Sequence, residues 1–243
     1  MIYGNNIAWK TAAVAGPFGG HSTLTTSLNA FYKMEDATDE LGIYNGTVNT
    51  GAVGSASGKI DLCYASATKT GNGISYGTTV ANWGANEPWS YNMWVQSSNT
   101  SQLSTLVSKG TTSKGTYLWC PGDNILQLVF ESGASNRLVW ETTNNVFADT
   151  TTFHMITVSY NGNGYVSGMT VYVNGSVVSI INVIDTLGTT SPATTNIFYL
   201  GAMPKFGTQY QWSGKIDDFG IWSKALSATE VTALYNSGTG LTY

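Results

Sequence analysis

Between Leu28 and Ser223 apolar and polar residues trade places at every second position in short runs, and clusters of Asn, Gly, Ser and Thr separate the runs. A strand points successive side chains to opposite faces, so each run predicts a half-buried strand and each cluster a turn. No sustained helical period precedes the C-terminus. The pattern therefore predicts an all-β fold, a two-sheet antiparallel β-sandwich. Residues 1–27 are rich in Gly, Ala, Thr and Ser without alternation, and are expected to form an N-terminal arm ahead of a sandwich domain at 28–243.

The clearest pairing lies at 124–142. If Ser132–Asn136 closes a hairpin, Glu131 faces Arg137, Val129 faces Val139, Leu128 faces Trp140 and Gln127 faces Glu141. That register sends Leu126, Leu128, Phe130, Leu138 and Trp140 to a core face and Gln127, Glu131, Arg137 and Glu141 to a wetter one. A second hairpin is expected from Phe153 to Val173, turning through Asn161–Gly164, with Asn174–Gly175 reversing the chain again into Ser176–Val178. Near the end, Ser227 and Glu230 form a capping box with Leu226 and Val231 as its hydrophobic staple, and Gly238 is expected to stop the short C-terminal helix.

Composition narrows the partners. Charged residues make up 10% of the 243, against roughly 25% in an average globular protein, so Thr, Ser, Asn and Gly must cover the surface as on exterior proteins. A formal charge of −4 without a Lys/Arg run excludes nucleic acid as an expected partner. No apolar stretch approaches the roughly 20 residues of a membrane span, so no membrane insertion is expected. The first twenty residues make a poor signal peptide. Cys63 and Cys120 read as buried free thiols more readily than as a bridge.

Several segments carry a family resemblance. Leu28–Asp36 resembles the first strand of laminin-G-like, concanavalin A-like domains, and Pro88–Val95 resembles their strand ending in Trp-Val. Phe153–Tyr160 with Val171–Gly175 is similar to their "Trp-His … Tyr-Val-Asp/Asn-Gly" pair, with Phe153 in place of the usual Trp. The ending, Gly214–Trp222 joined to Ala225–Val231 and Leu234–Tyr235, is the most specific match, and the likeness spans about residues 28–238. It implies a concanavalin A-like jelly roll, a fold that serves lectins, glycan hydrolases and virus appendages alike.

Sites must therefore decide function. Retaining hydrolases of this fold carry Glu-x-Asp-x-x-Glu on one strand, where period-two spacing sets the carboxyls about 5–5.5 Å apart, and this chain has no such run. His21 and His154 offer no convincing base, so no enzyme is expected. Some relatives join an acidic loop after the first strand to the Asp of the last, which would make Asp36 or Asp39 with Asp218 a structural calcium site, the single cofactor expected. The alternative is that Asp217 and Asp218 cap turns or accept hydrogen bonds from loop amides. Sugar binding needs flat aromatic surface beside hydroxyl-reading polar groups, and the candidates are Tyr117, Trp119, Gln127, Tyr210 and Trp212. Trp89, Trp94, Trp140 and Trp222 are expected in the core.

The expected function is a non-enzymatic structural or attachment protein on the surface of a bacteriophage virion, a capsid decoration or fibre-type subunit that presents a lectin-like sandwich to host or environmental glycans. An arm of little intrinsic structure frays unless held, so other virion proteins or neighbouring copies in a homo-oligomer are the expected partners. The alternative is a secreted or cell-surface bacterial carbohydrate-binding module.

Overall fold

The computed structural model describes residues 16–67, 71, 73–99, 103–111, 113–207 and 210–243. The first part of the predicted arm, residues 1–15, lies outside them. A single helical turn, α1 (Ser22–Thr25), precedes the strands β1 (Leu28–Tyr32), β2 (Thr47–Val48), β3 (Ala52–Ser57), β4 (Leu62–Ser66), β5 (Ile74–Ser75) and β6 (Trp89–Ser97). Next come β7 (Leu103–Gly110), β8 (Lys114–Pro121), β9 (Gln127–Ser132), β10 (Arg137–Thr142) and β11 (His154–Tyr160). The last strands are β12 (Met169–Val173), β13 (Ser176–Val178), β14 (Ile180–Asp185), β15 (Phe198–Leu200) and β16 (Gly214–Trp222), followed by helix α2 (Ala228–Tyr235).

Two eight-stranded antiparallel sheets form the expected sandwich. The first runs β13-β12-β11-β6-β16-β4-β3, with β1 also paired to β16, and the second runs β14-β10-β9-β8-β7-β15-β5-β2. Hairpin β9–β10 has the anticipated register from Glu131↔Arg137 to Gln127↔Glu141. Leu126, Leu128, Phe130, Leu138 and Trp140 are all fully buried between the sheets. Asn174 and Gly175 adopt φ of 52° and 78°, a left-handed pair that joins β12 to β13 in two residues.

Strand β16 has a different neighbour on each half. Gly214–Ile216 pair with β4, whereas Phe219–Trp222 pair with β1. A β-bulge at Asp217–Asp218 makes the switch: the register against β6 slips between Asp217↔Trp94 and Gly220↔Asn92, and Asp218 takes φ 42°. Both carboxylates are buried. Asp217 accepts the backbone N–H groups of Lys59 (2.7 Å), Ile60 (2.9 Å) and Asp218 (3.1 Å). Gly58 makes this approach possible, because a Cβ there would lie 2.4 Å from the Asp217 carboxylate.

A second apolar layer covers the outer face of the first sheet. Phe18, Leu24, Trp94, Trp222, Val231 and Leu234 pack together there beneath α1, α2 and the C-terminal segment. The Trp222 indole N–H donates to the Leu24 carbonyl at 2.7 Å, and the Phe18 N–H donates to the Thr242 carbonyl at 3.0 Å. Residues 16–27, expected to belong to the arm, are thus built into the sandwich. A tight turn and one helical turn bury just Phe18 and Leu24, a spacing too sparse to register as periodicity. Ser227 and Glu230 form the expected capping box, but the helix stops at Asn236 (φ 47°), ahead of Gly238.

If the outer layer is part of the cooperative fold, Trp222→Ala should destabilise the protein by about 3–5 kcal/mol. Urea denaturation measures it, and a loss below about 1 kcal/mol would show the layer to be peripheral.

Candidate functional site

With the first sheet covered, the outer face of the second is where side chains meet solvent in a groove. Leu118, Leu128 and Leu138 point into the core, so alternation turns Trp119, Val129 and Arg137 outward. The loop after β15 brings Met203, Phe206 and Tyr210 over them, enclosing a cavity of about 260 Å³ that Tyr117 and Glu131 also line. A neighbouring cavity of about 210 Å³ lies against Ser108, Asn196 and Tyr199. Tyr117 and Met203 line both cavities, which therefore adjoin as two lobes.

Aromatic rings build one wall. Trp119 and Tyr210 stand 6.1 Å apart between ring centroids, and Tyr210 and Phe206 stand 5.6 Å apart. Trp119 and Tyr210 are half-buried and Phe206 is 45% exposed, so their faces are available to a ligand. The Trp119 indole N–H donates to Gln127 Oε1 at 2.7 Å, while Gln127 Nε2 donates to Glu141. This chain of hydrogen bonds fixes the indole plane. Tyr117 is a different case, because its hydroxyl donates to the carbonyls of Lys114 (3.1 Å) and Thr111, which leaves its ring as groove floor. Burial, reinforced by the Glu131 charge, pushes the Tyr117 phenol well above its ordinary range.

The far lobe is braced by a buried cation. Lys109 is 2% exposed, and its ammonium donates to the carbonyls of Thr78 (2.6 Å) and Asn196 (2.9 Å), with no carboxylate partner among the described residues. Burial pulls it down to about 8 from an ordinary 10.5.

The expected sugar-binding residues are thus partly assembled. Tyr117, Trp119 and Tyr210 line the groove, and Gln127 supports Trp119 from beside it. Trp212 does not belong to the groove. It is fully buried, edge-on to Phe147 at 5.5 Å, because the bridge of Gln211 to Thr105 draws this stretch into the core. Val129, Glu131, Arg137, Met203 and Phe206 complete the lining. The hairpin register had put Glu131 and Arg137 on this face, whereas nothing in the sequence places the loop of Met203 and Phe206 over it.

The residues anticipated as calcium ligands each accept hydrogen bonds from the protein. Asp39 spends both oxygens on backbone N–H groups, Oδ1 on Phe31 (3.0 Å) and Leu41 (3.2 Å), Oδ2 on Ile43 (3.1 Å) and Tyr44 (3.0 Å). Asp36 is exposed and caps its own turn through Thr38, and Asp218 accepts from the Thr242 hydroxyl at 2.5 Å. Among the described residues no group of three or more His, Cys, Asp or Glu is arranged to hold a metal. The alternative expectation, carboxylates accepting hydrogen bonds from loop amides, describes the geometry of Asp217. Desolvation pushes Asp217 up to about 7, opposed by its three N–H donors and reinforced by the charge of Glu35. Cys63 and Cys120 are buried free thiols.

Residues 68–232 match the concanavalin A-like lectin/glucanases superfamily, which covers more than half of the chain. The chain belongs to this superfamily. No curated protein matches it in sequence. Among solved structures, this superfamily member resembles the binding domain of Paraclostridial Mosquitocidal Protein 1 at 16% identity and TM-score 0.68, over 88% of this chain and 53% of that one. It resembles domain 4 of AbnA, a GH43 extracellular arabinanase from Geobacillus stearothermophilus solved with arabinotriose, at 20% identity and TM-score 0.58, over 85% and 97%. It also resembles the binding domain of botulinum neurotoxin DC, solved in complex with SialylT, at 15% identity and TM-score 0.62, over 88% and 52%. The chain therefore spans about half the length of the two toxin domains, and at these identities the likeness shows the fold.

Lys109 gives the site a pH signature. Below pH 8 both folded and unfolded states hold the proton, and the folded state bears the cost of a buried charge. Between about 8 and 10 the folded state sheds the proton while the unfolded state keeps it, so stability should rise with pH, by up to about 3 kcal/mol. Buried tyrosines such as Tyr91, pushed above their ordinary 10.0, reverse the trend at higher pH. Cys63, pushed up to about 11 from 9.0, opposes the trend within the same range, so urea unfolding from pH 7 to 10 should show stability changing more favourably with pH in the wild type than in Lys109→Met; the same slope in both would remove Lys109 as a source.

Proposed function

We propose that this chain is a non-enzymatic glycan-binding module that holds its ligand in the groove on the outer face of the second sheet. The carrying observation is the aromatic wall of Trp119, Tyr210 and Phe206, oriented by the Trp119–Gln127–Glu141 hydrogen bonds and open to solvent. Flat rings cover the apolar face of a pyranose, and the carboxylate of Glu131 beside them accepts from hydroxyls. Similar folds support this reading, since one was solved with arabinotriose and another with SialylT.

A second reading, an outer-surface subunit of a phage particle, draws support from an apolar edge. Ile181 and Val183 on edge strand β14 are 51% and 46% exposed, and Val177 on β13, the edge of the other sheet, is 63% exposed. Such edges invite pairing with a second copy. In that setting the groove would still serve attachment.

A glycan array followed by calorimetry tests the first reading. Trp119→Ala should cost about 2 kcal/mol of binding, roughly 30-fold in Kd, with secondary structure retained. Full-strength binding by Trp119→Ala would move the site elsewhere.

A further inference from the structure

We infer that the groove selects glycans bearing a carboxylated sugar, a uronate or a sialic acid, and that Arg137 reads the carboxylate. This inference rests on the glycan-binding reading above. Arg137 lines the same cavity as Trp119 and Tyr210. It enters neither of the ion pairs seen among the described residues, Lys33–Glu40 and Lys224–Glu230. Among the described residues its Nε–H, shielded from solvent, has no hydrogen-bond partner. Leaving a buried donor unsatisfied costs about 1–3 kcal/mol, and more when the group is charged. An acceptor delivered by a ligand would recover that cost once it displaces the groups that shield the Nε–H.

The guanidinium presents its N–H groups as a planar fork, which a carboxylate satisfies two at a time while neutralising the charge. A sugar hydroxyl would satisfy one N–H and leave the charge in place. The backbone under Arg137 is well anchored: its carbonyl accepts the Thr186 N–H at 2.8 Å, and it pairs with Glu131 across the hairpin. Glu131 is 7% exposed and lines the same cavity. The two side chains thus offer opposite chemistry to one ring, Arg137 to its carboxylate and Glu131 to its hydroxyls, with Trp119 and Tyr210 beside its apolar face. Polyanions held by charge alone do not match this arrangement, because the chain carries a formal charge of −4.

Calorimetry on the full chain with trigalacturonate, its methyl ester, 3′-sialyllactose and lactose tests the inference. One acidic ligand should bind at least about tenfold tighter than its neutral counterpart, which is about 1.4 kcal/mol. Binding of trigalacturonate identifies a uronate site, and binding of sialyllactose a sialic acid site. Arg137→Gln should bring the acidic ligand down to the affinity of its neutral counterpart, whereas Arg137→Lys should keep only part of the preference. The methyl ester removes the charge from the ligand, so the comparison holds even if Arg137→Gln fails to fold. Equal binding of acidic and neutral forms, lost in Trp119→Ala and untouched in Arg137→Gln, would overturn the role of Arg137 while leaving the glycan site standing. Failure of the folded wild type to bind any glycan, on the array or in solution, would overturn both.

Discussion

Burial on both faces of the first sheet is the constraint from which the rest of the architecture follows. Strand β16 is buried along Ile216–Trp222, with Ile216, Phe219 and Ile221 facing the other sheet and Trp222 facing outward. An outward-facing Trp needs its own cover. The chain supplies it from both ends, as Phe18 and Leu24 arrive from before the first strand and Val231 and Leu234 from after the last. Covering this face leaves the opposite sheet to carry the open groove.

The bulge at Asp217–Asp218 reconciles two demands on one strand. A straight β16 would keep a single neighbour on that side, whereas the bulged strand takes β4 first and β1 afterwards. Bulges leave local backbone groups unpaired. Asp217 answers by accepting N–H groups from its own bulge and from the loop of Lys59 and Ile60, at the cost of a desolvated carboxylate. Asp39 organises the loop after β1 in the same manner, with four N–H groups gathered on one side chain. Asp36 and Asp39, which suggest a cation site in sequence, accept backbone N–H groups here, a use that sequence spacing does not distinguish from metal ligation.

The groove combines rigid and local parts. Trp119, Glu131 and Arg137 project from three adjacent strands whose registers fix their spacing, while Met203, Phe206 and Tyr210 come from a single loop. Strands hold a recognition geometry more firmly than loops do, and loops are where ligand choice most readily varies. Family membership establishes the scaffold; under the proposed function the choice of ligand falls to these side chains.

The sequence by itself determined the alternating strand pattern, the hairpin register at 127–141, the presence of a hairpin within 153–173, the capped helix and the core tryptophans Trp89, Trp94, Trp140 and Trp222. Those features depend on period-two alternation, turn residues and capping chemistry, all of which act between near neighbours and leave a local pattern. Tertiary structure alone decided that Phe18 and Leu24 belong to the fold, that Trp212 is core, which partners Asp36, Asp39 and Asp218 take, and that the loop of Phe206 lines one cavity with Arg137. Each of these depends on contacts between segments distant in the chain, such as Leu24 with Trp222 or Gln211 with Thr105. Contacts of that kind are settled by how the sheets stack, and they leave no periodic trace in either partner.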